Sequence, residues 1–277
     1  MGIRHILRVL ARSGSLRFSL DLARARTLAR SGVRGQPLAQ LRWRGHDVFY
    51  RPATSDPLAI YQVLLRRGGK AEYYLPPALQ PEVILDIGSN IGSSILFFRE
   101  QFPAARIYGF EPHPETFQVL QKNVGSLPSV EVFNYGLGAF DATLSIPFDG
   151  ADFSRFMSQD KTADWSGPLS PTACKKKHAG SAMKSLGLTK ADLIKIDCEG
   201  AEYDVLTSLP GEMLRATKWI VGEMHNESAF PLLALLAPHF DFDLKKRMFA
   251  PFFRFHACNL TCARQLRGTF ERNALQQ

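Results

Sequence analysis

An open α/β sheet, mostly parallel with an antiparallel strand toward its C-terminal end, is the architecture this sequence predicts, and three observations predict it. Short apolar runs alternate with amphipathic stretches from "EVILDI" (82–87) onward. Their pitch leaves room for a crossover helix between successive strands, which makes those strands parallel. One run ends in a glycine turn, "DIGSNIG" (86–92), the kind of break that brings backbone amides to a ligand at the carboxyl end of a sheet.

The elements follow in order. "EVILDI" reads as a buried strand, "IGSSILFFREQF" (91–102) as a helix and "ARIYGF" (105–110) as a second strand. Pro114 opens the helix "PETFQVLQKNV" (114–124), and "SVEVFN" (129–134) is a third strand. The period is then lost through a Ser-, Pro- and Lys-rich stretch, about 147–180, read as an inserted loop over one rim of the sheet. Alternation returns with "ADLIKID", "AEYDVLTSL", "TKWIVGEM" and "AFPLLALLAPHF" as strand, helix, strand and helix. "FDLKKRMF" and "FFRFHACNL" are close enough to pair antiparallel.

With 277 residues, 45% of them hydrophobic, the chain can bury one substantial core. Its net charge of +8 is unevenly placed. Residues 1–51 hold eleven Arg against Asp21 and Asp47 alone, so the basic excess sits in an N-terminal arm. The division expected is a basic, helical arm over 1–47 and one catalytic-type domain over 48–277. In the arm, Leu7, Leu10, Leu16 and Leu20 are expected to pack on the body with arginines in water. Two other readings of the arm stay open: an organelle transit peptide, and contact with a membrane surface or another polyanion.

Four cysteines at irregular spacing make no disulfide framework, so a reducing, cytoplasmic setting is expected. No apolar run approaches the roughly 18 residues needed to cross a bilayer.

The glycine turn excludes two ligand classes. Ser93 occupies the third glycine's place in a dinucleotide fingerprint, and the Gly-Lys-Ser/Thr of a phosphate loop is missing. What remains is a tight turn with Asp86 just before it and Glu111 at the end of the next strand. Two carboxylates suit a ligand with a cationic amino acid end and a ribose. Structural readings stand beside this one: Asp86 orienting the turn, Asn90 tolerating a left-handed backbone, and Glu111 capping the helix near Pro114.

At these residues the chain resembles the FkbM-type methyltransferases, a branch of the Rossmann-like methyltransferase superfamily. The resemblance rests on an ordered set: "RPATSDPLAIYQVL" (51–64), "VILDIGSNIG" (83–92), "IYGFEPHPETFQVLQKNV" (107–124), "LIKIDCEGAEYDVL" (193–206) and "IVGEMH" (220–225). It implies a Rossmann-like class I methyltransferase fold and S-adenosylmethionine as methyl donor. It implies that Gly88, Ser89, Asn90 and Gly92 wrap the donor's methionine end, with Asp86 beneath its amino group and Glu111 accepting from both ribose hydroxyls. Adenine would lie near "NYGLGAFD", where Asn134, Gly136 and Asp141 are candidates. The resemblance favours O-methylation of a hydroxyl on a sugar, glycan or secondary metabolite. A donor-binding protein without turnover, docking through its arginines, is the alternative.

"KIDCEGAE" gathers Asp197, Glu199 and Glu202 within six residues, and "GEMH" brings Glu223 and His225 to the same rim. Glu202, and in part Glu199, is accounted for by the amides of a helix N-terminus. Asp197 and His225 are the candidate proton acceptors from an acceptor hydroxyl, with Glu199 and Glu223 orienting substrate or base. A competing account gives Asp197, Glu199, Glu223 and His225 to Mg²⁺ or a similar ion. The spacing matches no dedicated metal motif, so a divalent metal is not expected. "HACNLTC" (256–262) reads as core and surface positions, and "CKKKHAG" (174–180) as a solvated loop tip. Nucleic acid is an unfavoured partner, since charge beyond the arm is near neutral.

Overall fold

The computed structural model describes residues 3–28, 37–67, 71–73, 75–146, 172–225, 229–246 and 252–267. In chain order come α1 (Ile3–Ser13), α2 (Leu16–Leu28), the hairpin β1 (Ala39–Trp43) and β2 (His46–Tyr50), and α3 (Asp56–Ile60), which runs on as a wide turn over Tyr61–Leu65. The first half of the sheet region is β3 (Val83–Ile87), α4 (Ser93–Gln101), β4 (Arg106–Phe110), α5 (Pro114–Val124) and β5 (Val130–Phe133). Three short strands follow, β6 (Gly136–Gly138), β7 (Ala142–Ile146) and β8 (Thr172–His178), then α6 (Ala179–Ser185). The second half is β9 (Leu193–Ile196), α7 (Glu202–Ser208), α8 (Gly211–Ala216), β10 (Trp219–His225), α9 (Ala229–Leu236), β11 (Phe240–Lys246), β12 (Phe252–Asn259) and α10 (Ala263–Arg267).

Seven strands form the main sheet in the order β11-β12-β10-β9-β3-β4-β5. Neighbours from β10 to β5 are parallel, and β12 runs antiparallel to both β10 and β11. This is the Rossmann-like methyltransferase arrangement, with the expected antiparallel strand. The chain winds outward from β3 through β4 to β5, then returns to β9 on the other side of β3. Strand order therefore reverses between β3 and β9, the point beyond whose carboxyl ends open α/β sheets bind their ligands.

Burial on both faces explains why the central strands read as unbroken apolar runs. Val83, Leu85 and Ile87 join Ile194, Ile196, Val205 and Met224 in one core, while Ile84 joins Ile95, Leu96, Ile107, Leu193 and Trp219 in the other. Each such aliphatic side chain contributes roughly 1.5–3 kcal/mol when fully buried. Asp86 and Lys195 are paired across β3 and β9 on the second of these faces.

Three expectations need correction. The arm is helical, but it packs through Val9, Phe18, Leu22 and Ala25, whereas Leu7, Leu16 and Leu20 are exposed by 57%, 57% and 38%. Val9, Phe18 and Leu22 on the opposite stripe share a core with Tyr50, Tyr61 and Leu64, and a leucine count could not reveal which stripe faced in. The boundary at 47/48 falls inside the β1–β2 hairpin, and the arm shares its core with the domain, tied further by the Tyr50 hydroxyl donating to Asp21 at 2.9 Å. Finally, the end of the inserted region is ordered: β8 is the middle strand of a β6-β8-β7 sheet, and "CKKKHAG" ends that strand and opens α6 rather than forming a loop tip. Cys174 and Lys176 face in and Lys175 and Lys177 face out, a period of two that the lysine run concealed. The Lys176 ammonium sits 3.7 Å from the centre of the Phe140 ring, which lets it lie buried. The inserted residues 147–171 lie outside those described. Among the described residues, no helix is long and apolar enough to cross a membrane.

Candidate functional site

The turn after β3 is built from backbone. Gly88 and Ser89 both donate their amides to the Phe110 carbonyl, at 3.0 and 2.9 Å. The Ser89 hydroxyl donates to the Asp86 carbonyl at 2.8 Å, and the Gly92 amide closes on Ser89 at 2.9 Å. Gly88, Asn90 and Gly92 all have left-handed backbones, with φ of 79°, 49° and 88°. Glycine is required at 88 for a second reason: a Cβ there would lie 1.9 Å from the Asp197 carbonyl oxygen. Asn90 is the residue type that tolerates this conformation best after glycine.

Glu111 ends β4 against this turn and is 6% exposed. One carboxylate oxygen accepts from the Asn90 amide at 3.0 Å and the other from the His113 amide at 2.9 Å. Each oxygen keeps a further lone pair. Burial pushes the carboxyl up from 4.5 to about 7, against the pull of those amides, Lys195 and Arg51.

Asp86 lies under the turn, fully buried. It accepts from the Ser94 hydroxyl at 2.6 Å and lies 3.3 Å from the Lys195 ammonium. Lys195 also donates to the carbonyls of Ile87 and Gly88. Burial alone would lower its ammonium, but Asp86 and Asp197 outweigh that and hold it charged. Asp86, held by Ser94 and Lys195, thus fixes the turn from below.

Across Gly88 stands the turn after β9, built from side chains. Asp197 ends the strand, and Glu199 and Gly200 take left-handed backbones, with φ of 57° and 107°. Glu202 is fully buried; one of its oxygens accepts the amides of Cys198 and Gly200, each at 3.1 Å, and lies 2.9 Å from His225 Nδ1. His225 Nε2 is 3.5 Å from carboxylate oxygens of both Glu199 and Glu223. Burial disfavours the imidazolium, yet Glu202 and Glu223 raise it from 6.5 to about 11. The carboxylates around the ring thus favour its imidazolium form. Asp197 behaves differently: burial first, then repulsion from Glu223, holds its carboxyl well above the usual range.

Glu223 is set by Arg254, whose Nε donates to it at 3.2 Å and whose other arm pairs with Glu72. Tyr73 is buried, and its hydroxyl is raised by that burial and by the fields of Asp197 and Glu72. Donor atoms of Asp197, Glu223 and His225 lie within 4.8 Å of one another, a set that a hard divalent cation can use once the imidazole gives up its proton.

The six turn and ribose-type residues and the four acidic-rim residues named from sequence therefore meet at one crevice. Sequence reasoning passed over Lys195, the Arg254–Glu72 pair, Tyr73 and the role of Glu202. A lysine inside the apolar run "LIKI" was a usable signal, because a buried ammonium needs a buried acid. Glu72, Tyr73 and Arg254 carried none, being distant in the chain. Asn134 donates to the carbonyls of Glu111 and Pro112 at 3.0 and 3.3 Å, and Asp141 accepts from the His178 amide at 2.6 Å. Gly136 lies in β6. In "HACNLTC", His256 stacks on Trp219 with ring centroids 5.1 Å apart and Cys258 is buried, as structural positions should be.

Comparison with known proteins agrees with this geometry. The family model of the methyltransferase FkbM domain matches residues 86–243, more than half of the chain, and the protein belongs to that family. It is similar to Methyltransferase 1 of Beauveria bassiana, 31% identical over 157 residues that make up 50% of this chain and 63% of that one. It is similar to the 2-O-methyltransferase NoeI of Sinorhizobium fredii, 28% identical over 169 residues, 56% of this chain and 69% of the relative. The hexuronic acid methyltransferase AglP of Haloferax volcanii is 26% identical over 153 residues, 54% of this chain and 59% of its own. The chain thus spans less than two thirds of two of these three relatives.

Proposed function

We propose that this protein transfers a methyl group from S-adenosylmethionine to a hydroxyl oxygen, on a sugar, a glycan or a related small molecule. The observation that carries the reading is the arrangement around Gly88. A backbone-lined turn and a buried carboxylate suited to a nucleoside lie on one side, and a carboxyl of raised basicity lies on the other. The donor, when bound, supplies an electrophilic methyl carbon and a neutral thioether leaving group.

The residues divide the work. Gly88, Ser89, Asn90 and Gly92 receive the donor's methionine end on their backbones, stiffened from below by Asp86, Ser94 and Lys195. Glu111 fits a ribose because both its oxygens, already anchored by amides, have lone pairs left for two hydroxyls. Asp197 takes the acceptor's proton as the new O–C bond forms, and a carboxyl whose pKa is raised suits that task better than an ordinary one. Glu199 and Glu223 orient the acceptor. His225, as imidazolium on Glu202, balances the charge of the rim. Alignment of acceptor, methyl and sulfur in a water-poor crevice supplies most of the acceleration. The 2-O-methyltransferase NoeI supports transfer to an oxygen, and the hexuronic acid methyltransferase AglP supports a saccharide acceptor. The reading uses no metal. Four free cysteines, three of them buried, support a reducing cytoplasmic setting.

Calorimetry with S-adenosylmethionine and its demethylated product tests the donor half, and transfer of labelled methyl to saccharide fractions tests the acceptor half. Binding without transfer to any hydroxyl compound would favour a donor-binding protein instead. Absence of binding by either nucleoside would overturn the whole reading.

A further inference from the structure

We propose that the outward faces of α1 and α2 form a docking surface for an anionic lipid bilayer. The proposal starts from the leucines that do not pack where the sequence led one to expect them. Val9 on α1, and Phe18, Leu22 and Ala25 on α2, join the body's core. Opposite Val9 on α1 stand Arg4, Leu7, Arg8 and Ala11, all exposed. Opposite Phe18 and Leu22 on α2 stand Leu16, Arg17, Leu20 and Arg24, again exposed. Spacings of three and four residues align each set in one stripe. Both helices thus lie on the body along their length and turn outward a long side that mixes arginine with leucine.

Charge names the occupant. Residues 1–51 carry eleven Arg and two Asp, whereas the rest of the chain is near neutral. One of those two acids, Asp21, is buried against Tyr50. Arginine alone would suit any polyanion. Leu7, Leu16 and Leu20, at 57%, 57% and 38% exposure, gain nothing from a nucleic-acid backbone, and the outward stripes present no aromatic ring on which a base could stack. A bilayer with anionic headgroups meets both demands: arginines reach phosphates while leucines enter the acyl boundary. The helices lie in the interface plane and do not span it.

The test uses the full chain and sedimentation with vesicles of phosphatidylcholine, with or without phosphatidylglycerol. The wild-type chain is expected to sediment with the anionic vesicles and stay in solution with the neutral ones. Arg4→Glu, Arg8→Glu and Arg17→Glu together should lower partitioning about a hundredfold, at roughly fivefold per basic residue. Leu7→Ser, Leu16→Ser and Leu20→Ser together should lower it about tenfold while leaving the thermal midpoint unchanged, since these side chains hold no core. Equal partitioning to both vesicle types overturns the proposal. So does a leucine variant that binds anionic vesicles as tightly as wild type, a result that would reassign the arginines to a soluble polyanion such as RNA. Donor binding and methyl transfer are read separately, so neither result touches the proposed activity.

Discussion

The turns after β3 and β9 solve opposite problems with similar backbones. Each contains glycine and one non-glycine residue with positive φ, Asn90 in the first and Glu199 in the second. In the first turn the amides of Gly88 and Ser89 are held by the Phe110 carbonyl and that of Asn90 by Glu111, and the one charge beneath is neutralised by a lysine 3.3 Å away. In the second, Glu202 takes up two of the amides, and the exposed chemistry belongs to carboxylates. A turn closed mainly by backbone bonds keeps its shape whatever the pH. A cluster of carboxylates titrates, and its charge changes with pH. The two turns touch at one point, where Gly88 lies against the carbonyl of Asp197.

Substitution at that contact should break both halves together. For Gly88→Ala, a 1.9 Å approach to backbone and a positive φ cost about 3 kcal/mol or more. The expected outcome is a lower thermal midpoint with loss of donor binding and turnover. Asp197→Asn separates the halves instead. Turnover should fall about a hundredfold to ten-thousandfold with the donor's Kd nearly constant, and equal losses in both would refute Asp197 as the proton acceptor.

Glu111→Ala should act on the other side of the contact, raising the donor's Kd about tenfold to a hundredfold through lost charged hydrogen bonds, as read by calorimetry. The same group predicts a pH effect. Its carboxyl titrates at about 7, and the ionised form is the better hydroxyl acceptor, so donor affinity should fall as pH drops through 7. The empty fold has the opposite sign. Because the folded value lies above the ordinary 4.5, the protonated form is favoured by folding, and that stability is present at low pH and lost as pH rises through 7.

Glu202→Gln sharpens the comparison within the acidic turn. The neutral amide can still accept from Cys198 and Gly200 but no longer holds a charged imidazolium. His225 should titrate nearer its ordinary 6.5 than 11, measurable by NMR. Turnover should fall about tenfold with donor affinity unchanged. Asn90→Gly is the smallest change: relief of the left-handed backbone nearly cancels the added freedom of the unfolded chain, leaving stability within about 1 kcal/mol.

Elements with one strong local pattern were readable in advance. The five parallel strands, their crossover helices and the β11–β12 pairing all follow from apolar period and turn chemistry. So did Glu111 and Asp197, because an acid at the end of an apolar strand is conspicuous. The inward face of the arm was not readable, since both stripes of α1 and α2 carry apolar residues and only packing against Tyr50 and Tyr61 chooses between them. Strand β8 was hidden because its inward lysine is made tolerable by Phe140, a partner named by the sheet. Glu202 was visible as a helix-start acid, yet its bond to His225 joins two elements.

By itself, then, the order of residues determined the fold class, the place of the glycine turn and which acids stand at strand ends, since these depend on neighbours a few positions apart. Only the folded chain decided which of those acids surround His225, which lysine neutralises Asp86 and which leucines meet solvent. Such properties arise from distances of 3–4 Å between groups far apart in sequence, and charge, burial and protonation are set at that range.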